Sequence, residues 1–208
     1  MTSSSGDIGP LVSRAIKGDR PAIDQLLHYF RPQLRRMIAV RMDTRLKARL
    51  DPSDVVQIVL AQAAVKIAVF ARPTEEFFAW LRQLAWDELS RLYRDHVITQ
   101  KRSVALEHQD WTARAMEESM VLLADRLAAN QLGPGSQVVQ QELRARVRTA
   151  LEQLAVQDRE VLVMRFLEQL SITETATALG LSEAAIKSRQ FRAIDRLGRL
   201  LGHGEGRS

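Results

Sequence analysis

The sequence lacks cysteine altogether, and this absence excludes two kinds of site at once. With no thiol among the 208 residues, neither a disulfide bridge nor a cysteine-ligated metal site can form. The four histidines (His28, His96, His108 and His203) lie far apart and show no metal-ligand spacing. Glycine-rich phosphate loops and nucleophile motifs are also missing. We therefore expect no metal, no cofactor and no catalytic residues.

Long hydrophobic runs and strand patterns are missing as well. The first ten residues, MTSSSGDIGP, lack the apolar core of a signal peptide, and no run is expected to reach the roughly 20 apolar residues of a membrane span. Apolar positions recur at helical spacing, whereas the alternation typical of strands is absent. The sequence therefore predicts an all-α protein that is cytoplasmic and has no membrane partner.

Neither sign of charge dominates the composition, but the basic residues are unevenly distributed. Lys and Arg exceed Asp and Glu by 30 to 25, and a mild excess of this size fits a polyanion partner as well as many other proteins. Residues 31–49 contain seven basic residues against one acidic residue, Asp43. Residues 101–136 contain four against five. Basic charge is therefore concentrated towards the two ends of the chain.

The helical patterns predict two small domains joined by a linker. The first helical domain is expected over residues 10–96, where Asp51-Pro52-Ser53-Asp54 is a helix start that opens a markedly apolar helix. Residues 97–136 are mixed, with some helix expected around 113–129 and a loop at Gly133-Pro134-Gly135. A second helical domain is expected over 137–201. Residues 1–9 and 202–208 are predicted to be disordered ends.

The segment from Leu170 to Leu201 is the most informative part of the chain. Ser171 and Glu174 have capping-box spacing at the start of a short helix. Gly180 supplies the turn, Leu181 is expected to fill the space between the helices, and Ser182 can cap a longer basic helix. A short helix, a turn with glycine and a basic second helix predict a helix-turn-helix, whose second helix enters the DNA major groove.

The second helix of this motif has two predicted faces. On a wheel of 100° per residue, a narrow sector that should be buried contains Ile186, Gln190, Ala193, Leu197 and Leu201. The candidate DNA-binding residues lie outside that sector, and they are Lys187, Ser188, Arg189, Phe191, Arg192, Arg196 and Arg199. Arginine, serine and an aromatic edge can meet base edges, whereas the lysine and the later arginines are better placed for phosphates. A merely solvated basic face is the alternative.

The C-terminal residues resemble a known family. The resemblance is carried by Asp158-Arg159-Glu160-Val161-Leu162, Arg165-Phe166, Leu170-Ser171-Ile172, Leu179-Gly180 and Ile186-Lys187-Ser188-Arg189. These residues resemble region 4 of bacterial RNA polymerase sigma factors, in particular the small extracytoplasmic-function (ECF) type. The resemblance implies that this module reads the −35 promoter element.

The N-terminal half resembles region 2 of the same family through Gly18-Asp19, Asp54-Val55-Val56-Gln57 and Phe78-Ala79-Trp80-Leu81. The resemblance implies that the helix from Asp54 to Lys66 docks on core polymerase and that the helix with Trp80 binds and opens the −10 element. The implied core-binding residues are Asp51, Asp54, Val55, Gln57 and Ile58. The implied −10 residues are Trp80, Trp86, Arg91, Arg94, Lys101 and Arg102.

The resemblance implies a sigma factor that directs promoter-specific initiation at −10 and −35 elements. Its implied partners are promoter DNA, the clamp coiled coil and flap of core RNA polymerase, and an anti-sigma protein as a further candidate. Ile58 and Asp87 depart from the family, which often has Glu and Asn there. The pairing of residues 80–83 with Lys101-Arg102 resembles planctomycete sigma factors.

Two questions stay open from the residues alone. The C-terminal motif would serve a stand-alone helix-turn-helix regulator equally well, and the first hundred residues are what distinguishes the two readings. The basic residues of 31–49 could follow DNA, could meet an acidic surface of the polymerase, or could simply be solvated.

Overall fold

Every regular element of the described chain is helical, which confirms the predicted fold class. The computed structural model describes residues 8–70, 72–97, 104–131 and 137–202, and no strand occurs in these ranges. The chain divides into two compact units, Met1–Trp111 and Thr112–Ser208. Each unit has its own buried apolar residues, so each is described separately.

Unit 1 is a bundle of three long helices and two short ones. Its helices are α1 (Ile8–Ile16), α2 (Arg20–Arg41), α3 (Thr44–Lys47), α4 (Pro52–Lys66) and α5 (Phe77–Val97), with 3-10 turns at Ile67–Val69 and Thr74–Glu76. The start of α2 follows from its sequence, because the Asp19 carboxylate accepts the Ala22 N–H at 3.3 Å and Pro21 stands in the first turn. Helix α2 continues through Pro32 without ending.

Helix α4 occupies the centre of unit 1 and packs against α2 and α5. Its buried residues are Val55, Val56, Val59, Leu60 and Ala63. By length and composition, Pro52–Val69 is apolar enough to cross a membrane, so the expectation that no run would reach this level was wrong. The burial of its valine face against two neighbouring helices is that of a core helix in a packed protein.

Unit 2 contains the predicted helix-turn-helix and a helix that the sequence had indicated only in part. Its helices are α6 (Val104–Gln131), α7 (Gln137–Glu152), α8 (Val156–Leu162), α9 (Ile172–Leu179) and α10 (Glu183–Gly202), with a π-helical turn at Val163–Leu167 after α8. The first residues of α6 precede the boundary between the units, and those from Thr112 onward belong to unit 2.

The predicted linker over 97–136 therefore differs from the structure, because α6 fills most of it. Helix α6 buries Ala115, Leu123 and Ala128, and its Asp125 carboxylate lies 3.3 Å from the Arg144 guanidinium of α7. Several of the buried positions are alanines, which give little hydrophobic contrast along a helix. The sequence pattern was weak for that reason.

Candidate nucleic-acid interface

Hydrogen bonds fix the start of each helix of the helix-turn-helix, and a glycine forms the turn between them. The Ser171 hydroxyl accepts the Glu174 N–H at 3.0 Å, and the Glu174 carboxylate accepts the Ser171 N–H at 2.7 Å. Gly180 ends α9 with a φ of 63°, a conformation that glycine adopts without steric cost. The Ser182 hydroxyl then accepts the Ala185 N–H at 3.2 Å and caps α10. The predicted caps and turn are confirmed.

A small apolar cluster sets the angle between the two helices of the motif. Val161, Ala176 and Ile186 are buried together, and Ile172 and Leu179 pack against them. Leu181 does not fill this space as predicted, since 36% of it is exposed. Its backbone N–H is used instead, donating to the Ala176 carbonyl at 3.0 Å to close the turn. The packing role passes to Leu179, the last residue of α9.

Helix α10 has the orientation that the sequence predicts. Ile186, Ala193 and Leu197 are buried, and Gln190 is half-buried, where its side-chain oxygen accepts from Arg165 Nε at 3.0 Å. The candidate DNA-binding residues face outward: Lys187, Ser188, Phe191, Arg192, Arg196 and Arg199 are exposed, and Arg189 is half-buried. The structure therefore brings all seven candidates together on the solvent side of one helix.

Several polar groups on this face are paired with neighbours one helical turn away. Arg192 donates to the Ser188 hydroxyl at 2.9 Å, the Lys187 ammonium lies 3.7 Å from the Glu183 carboxylate, and Arg199 is paired with Asp195. Exposed pairs of this kind are worth only about 0.3–0.5 kcal/mol. A phosphate or a base edge can therefore replace these partners at little cost.

An apolar stripe, which was not predicted from the sequence, runs beside the basic face of α10. Phe191 is 72% exposed and Ile194 is 46% exposed. The stripe continues into a groove of about 250 Å³ within unit 2, lined by Leu127, Leu162, Phe166, Ile194, Leu197, Gly198 and Leu201. The spacing of Phe191, Ile194 and Leu201 was a readable signal, but Phe191 was assigned to the outer face and Leu201 to the buried sector, so the three were not connected.

The two tryptophans predicted to contact the −10 element are already engaged in unit 1. The Trp80 ring lies 5.3 Å from Phe70 and 5.4 Å from Phe77 between centroids, so it belongs to an aromatic cluster. The Trp86 centroid lies 5.6 Å from the guanidinium of Arg41 and 5.8 Å from that of Arg82. Both tryptophans are half-buried, and only part of each ring is open to a base.

Arg91, a member of the predicted −10 set, is exposed but already has partners on α5. Its guanidinium donates twice to the Glu88 carboxylate, at 2.5 and 3.1 Å, and once to Asp95 at 2.8 Å. Glu88 is buried and also accepts from Gln62 of α4 at 2.8 Å. Burial raises the pKa of Glu88, but the hydrogen bonds from Arg91 and Gln62 outweigh it and leave the pKa below its ordinary value. Arg91 therefore stabilises the charge of Glu88, whose bond to Gln62 joins α5 to α4, while half of the Arg91 side chain stays exposed.

The other residues near the predicted −10 surface are placed differently from one another. Arg94 is half-buried and donates to the Ser90 hydroxyl at 2.8 Å. Asp87 is exposed and accepts from the Gln83 side chain at 2.9 Å. Lys101 and Arg102 lie outside the described residues. The structure thus brings the described candidates onto one helix, α5, with unequal exposure.

The residues predicted to bind core polymerase divide into exposed and buried ones. Asp51, Asp54 and Gln57 are exposed and Ile58 is half-buried. Val55 is fully buried in the core of unit 1, so its assignment to a contact surface was wrong. Asp51 accepts the Ser53 N–H at 2.7 Å, and this bond is the main reason why its pKa is lowered. The two aspartates cap α4 as well as facing outward.

These features define a class: an all-α protein whose C-terminal unit presents a basic recognition helix from a helix-turn-helix. The sequence model of one family, "Sigma-70, region 4", matches residues 144–197. The ECF RNA polymerase sigma factor SigM of Mycobacterium tuberculosis is 31% identical over 194 residues, covering 93% of this chain and 84% of SigM. The RNA polymerase sigma factor CnrH of Cupriavidus metallidurans is 30% identical over 193 residues, covering 92% of each chain.

Among solved structures, CnrH in complex with the cytosolic domain of CnrY covers 94% of this chain and 97% of CnrH, with a TM-score of 0.50 and 23% identity. That likeness supports the fold. The chain belongs to the ECF family of RNA polymerase sigma factors. It is therefore a transcription initiation factor that acts with RNA polymerase on promoters, and the stand-alone regulator is the less supported reading.

Proposed function

We propose that this sigma factor reads the −35 element with the outward face of α10 and opens the −10 element with α5. The observation that carries the −35 assignment is the orientation of α10. Ile186, Ala193 and Leu197 anchor it, while Ser188 and Arg192 are exposed near its N-terminal half. Helix-turn-helix proteins contact bases with the N-terminal residues of the recognition helix. Arg192 and Ser188 are the proposed base contacts, and Lys187, Arg196 and Arg199 the proposed phosphate contacts.

At the −10 element we propose a smaller set than the sequence indicated. Trp86 and Arg94 of α5, with Lys101 and Arg102 beyond it, remain candidates for holding unstacked bases and phosphates. Trp80 would contribute the part of its ring that the Phe70–Phe77 cluster leaves open. Arg91 is omitted because Glu88 and Asp95 already accept its hydrogen bonds.

Core polymerase is proposed to contact both units. On α4, the exposed side chains of Asp51, Asp54 and Gln57, together with half-buried Ile58, form the proposed surface for the clamp coiled coil. On unit 2, the groove beside Ile194 is apolar and open, which suits the flap. Two weak contacts joined in one chain act together through effective concentration when both sites are within reach. The domain bounds 10–96 and 137–201 remain our proposal, with α6 between them.

Regulation, location and lineage are also proposals. CnrH, which this chain resembles, is seen with the cytosolic domain of CnrY, and we expect an anti-sigma protein to hold this chain in a similar manner. The protein would act in the cytoplasm by binding alone, without catalysis. The planctomycete type rests only on residues 80–83 and Lys101-Arg102.

In vitro transcription with core polymerase and a library of genomic fragments tests the proposal. We expect transcripts that start from a restricted set of promoters and that require this protein. Failure to bind core polymerase, together with stable dimerisation and DNA binding by the chain alone, would instead identify a stand-alone regulator.

A further inference from the structure

Six of the seven basic residues of 31–49 fall into three groups with different surroundings, and the seventh, Arg36, is half-buried on α2. Arg41 is fully buried. Arg31 and Arg35 lie on α2 beside α4, where Arg35 Nε donates to the Ser53 hydroxyl at 3.2 Å and Arg31 lines a groove with Gln57. The third group, which we call the α3 strip, comprises Arg45, Lys47 and Arg49. Neither the −10 nor the −35 assignment uses this strip.

The packing of α3 directs the strip outward. Leu46 is fully buried, and α3 packs against α5. Residues adjacent to Leu46 in a helix lie on its two flanks. Arg45 is accordingly exposed and Lys47 half-exposed, and Arg49 is exposed in the turn that follows.

The only acidic residue of 31–49 does not offset this charge at the surface. Asp43 is buried, with 2% of its surface exposed, and its carboxylate accepts the backbone N–H of Arg45 at 2.7 Å as the cap of α3. The carboxylate therefore faces into the fold while the cations face solvent. A region with one sign of charge outward attracts polyanions.

Trp86 locates the strip relative to the proposed −10 surface. The Arg41 guanidinium, two residues before Asp43, lies 5.6 Å from the Trp86 centroid, on which Arg82 also lies. The corner between α2 and α3 is therefore next to the middle of α5. The α3 strip therefore lies on the side of unit 1 where α5 carries Arg82 and Trp86.

We propose that the α3 strip binds the phosphate backbone of promoter DNA alongside the segment that α5 opens. The proposal rests on the assignment of α5 to promoter DNA. A protein partner on this strip would lack even the apolar contact that half-buried Ile58 offers on α4, and interface energy concentrates in buried aromatic and aliphatic side chains. Among the described residues, no exposed large apolar side chain falls between positions 30 and 64. Phosphate contacts need only cations.

The experiment compares two doubly substituted proteins, each lacking one Arg and one Lys. The test variant is Arg45→Ala with Lys47→Ala. The control is Lys17→Ala with Arg20→Ala, two exposed cations where α1 meets α2. Each protein is assembled with core polymerase, and its affinity for a promoter fragment is measured across a range of salt concentrations. Core affinity and circular dichroism are measured in parallel.

We expect the test variant to bind the promoter more weakly at every sequence tried and its salt dependence to fall by roughly 1 to 2 in log–log slope, as each duplex phosphate contact contributes about 0.9. The control should keep the wild-type slope. Equal slopes for test variant and control would overturn the proposal. So would a loss of core affinity with the slope unchanged, since that outcome would assign the strip to an acidic polymerase surface. If the wild-type holoenzyme selects no promoter, the proposed function itself fails.

Discussion

Helices α5 and α10 are both predicted to contact DNA, yet their arginines and aromatic residues have different surroundings. Helix α10 is buried along one narrow stripe that contains Ile186, Ala193 and Leu197, and Lys187, Arg192 and Arg199 are paired with exposed neighbours on the same helix. Helix α5 is packed by α2, α3 and α4. Its arginines and tryptophans are consequently drawn into contacts within unit 1.

The comparison shows that a basic or aromatic residue on a helix can be assigned to a ligand only after its internal partners are known. Arg192 and Arg91 look alike in the sequence. Arg192 contacts only an exposed hydroxyl one turn away, whereas Arg91 is held by the buried carboxylate of Glu88. The burial of the partner accounts for the difference, because Glu88 is buried and its carboxylate needs hydrogen-bond donors, whereas the Ser188 hydroxyl is exposed to water.

The largest effect is expected from Ile186→Ala, which tests whether α10 depends on its single buried stripe. Removing a fully buried isoleucine from the Val161–Ala176 cluster should cost about 2–5 kcal/mol of unfolding free energy. We expect denaturant unfolding of unit 2 to shift while unit 1 keeps its transition. Ile194→Ala on the same helix is the matched control and should shift the transition by a small fraction of that. Similar shifts for both would mean that α10 is held by more than one face.

The second prediction concerns the carboxylate that holds Arg91. Glu88→Gln keeps the size of the side chain but weakens its bonds to Arg91 and Gln62, and a hydrogen bond to a charged group contributes about 1.5–3 kcal/mol. Chemical denaturation of unit 1 should show a loss of that order. Asp95→Asn, which alters the exposed partner of the same arginine, should change the unfolding free energy by under about 1 kcal/mol. Equal effects would mean that the buried Glu88 carboxylate contributes no more to stability than the exposed Asp95 does.

The same substitution has a pH signature. Folding lowers the pKa of Glu88, so the ionised carboxylate stabilises the fold above its ordinary pKa, and that contribution is lost as the pH falls through the lowered value. The difference in unfolding free energy between wild type and Glu88→Gln should therefore be largest near neutral pH and shrink in acid. A difference that grows on acidification would contradict this assignment.

These two regions also show which parts of the protein could be predicted from sequence. The helix-turn-helix could be predicted because its signals are local in the sequence. Ser171 and Glu174 are three residues apart, and Gly180 ends α9 with a φ of 63°. Helix α6 and the contacts of Arg91 could not be predicted in this way. Gln62 and Glu88 are 26 residues apart in sequence, and no periodicity links them. Residues that are polar yet buried are invisible to a hydrophobic pattern.

The third prediction separates two kinds of contact on α10. Arg192→Ala should cost about 1–3 kcal/mol of binding free energy at particular −35 sequences, because an arginine that pairs with a base edge discriminates among bases. Arg199→Ala should weaken binding to all sequences alike and lower the salt slope by about 1. Binding of the holoenzyme to a panel of −35 variants measures both. Indistinguishable profiles would mean that α10 lies in the groove in another orientation.

The smallest effect is expected at Asp87, the residue of α5 that departs from the family. Its carboxylate is exposed and accepts from Gln83 one turn earlier, so it adds a negative charge beside the proposed −10 surface. Asp87→Asn retains an acceptor for Gln83, and such a pair is worth only about 0.2–0.5 kcal/mol. Fold stability should therefore hardly change.

Promoter binding by this variant should nevertheless improve slightly at low salt, because a charge repelled by phosphate has been removed, and the gain should fade as salt screens it. Asp195→Asn on α10 provides the comparison: there the carboxylate is paired with Arg199, so its removal frees a cation on the proposed −35 face. A gain in promoter affinity for Asp195→Asn with none for Asp87→Asn would mean that the side of α5 with Asp87 faces away from DNA. Equal gains would place both helices against phosphates, despite the different ways in which they are packed.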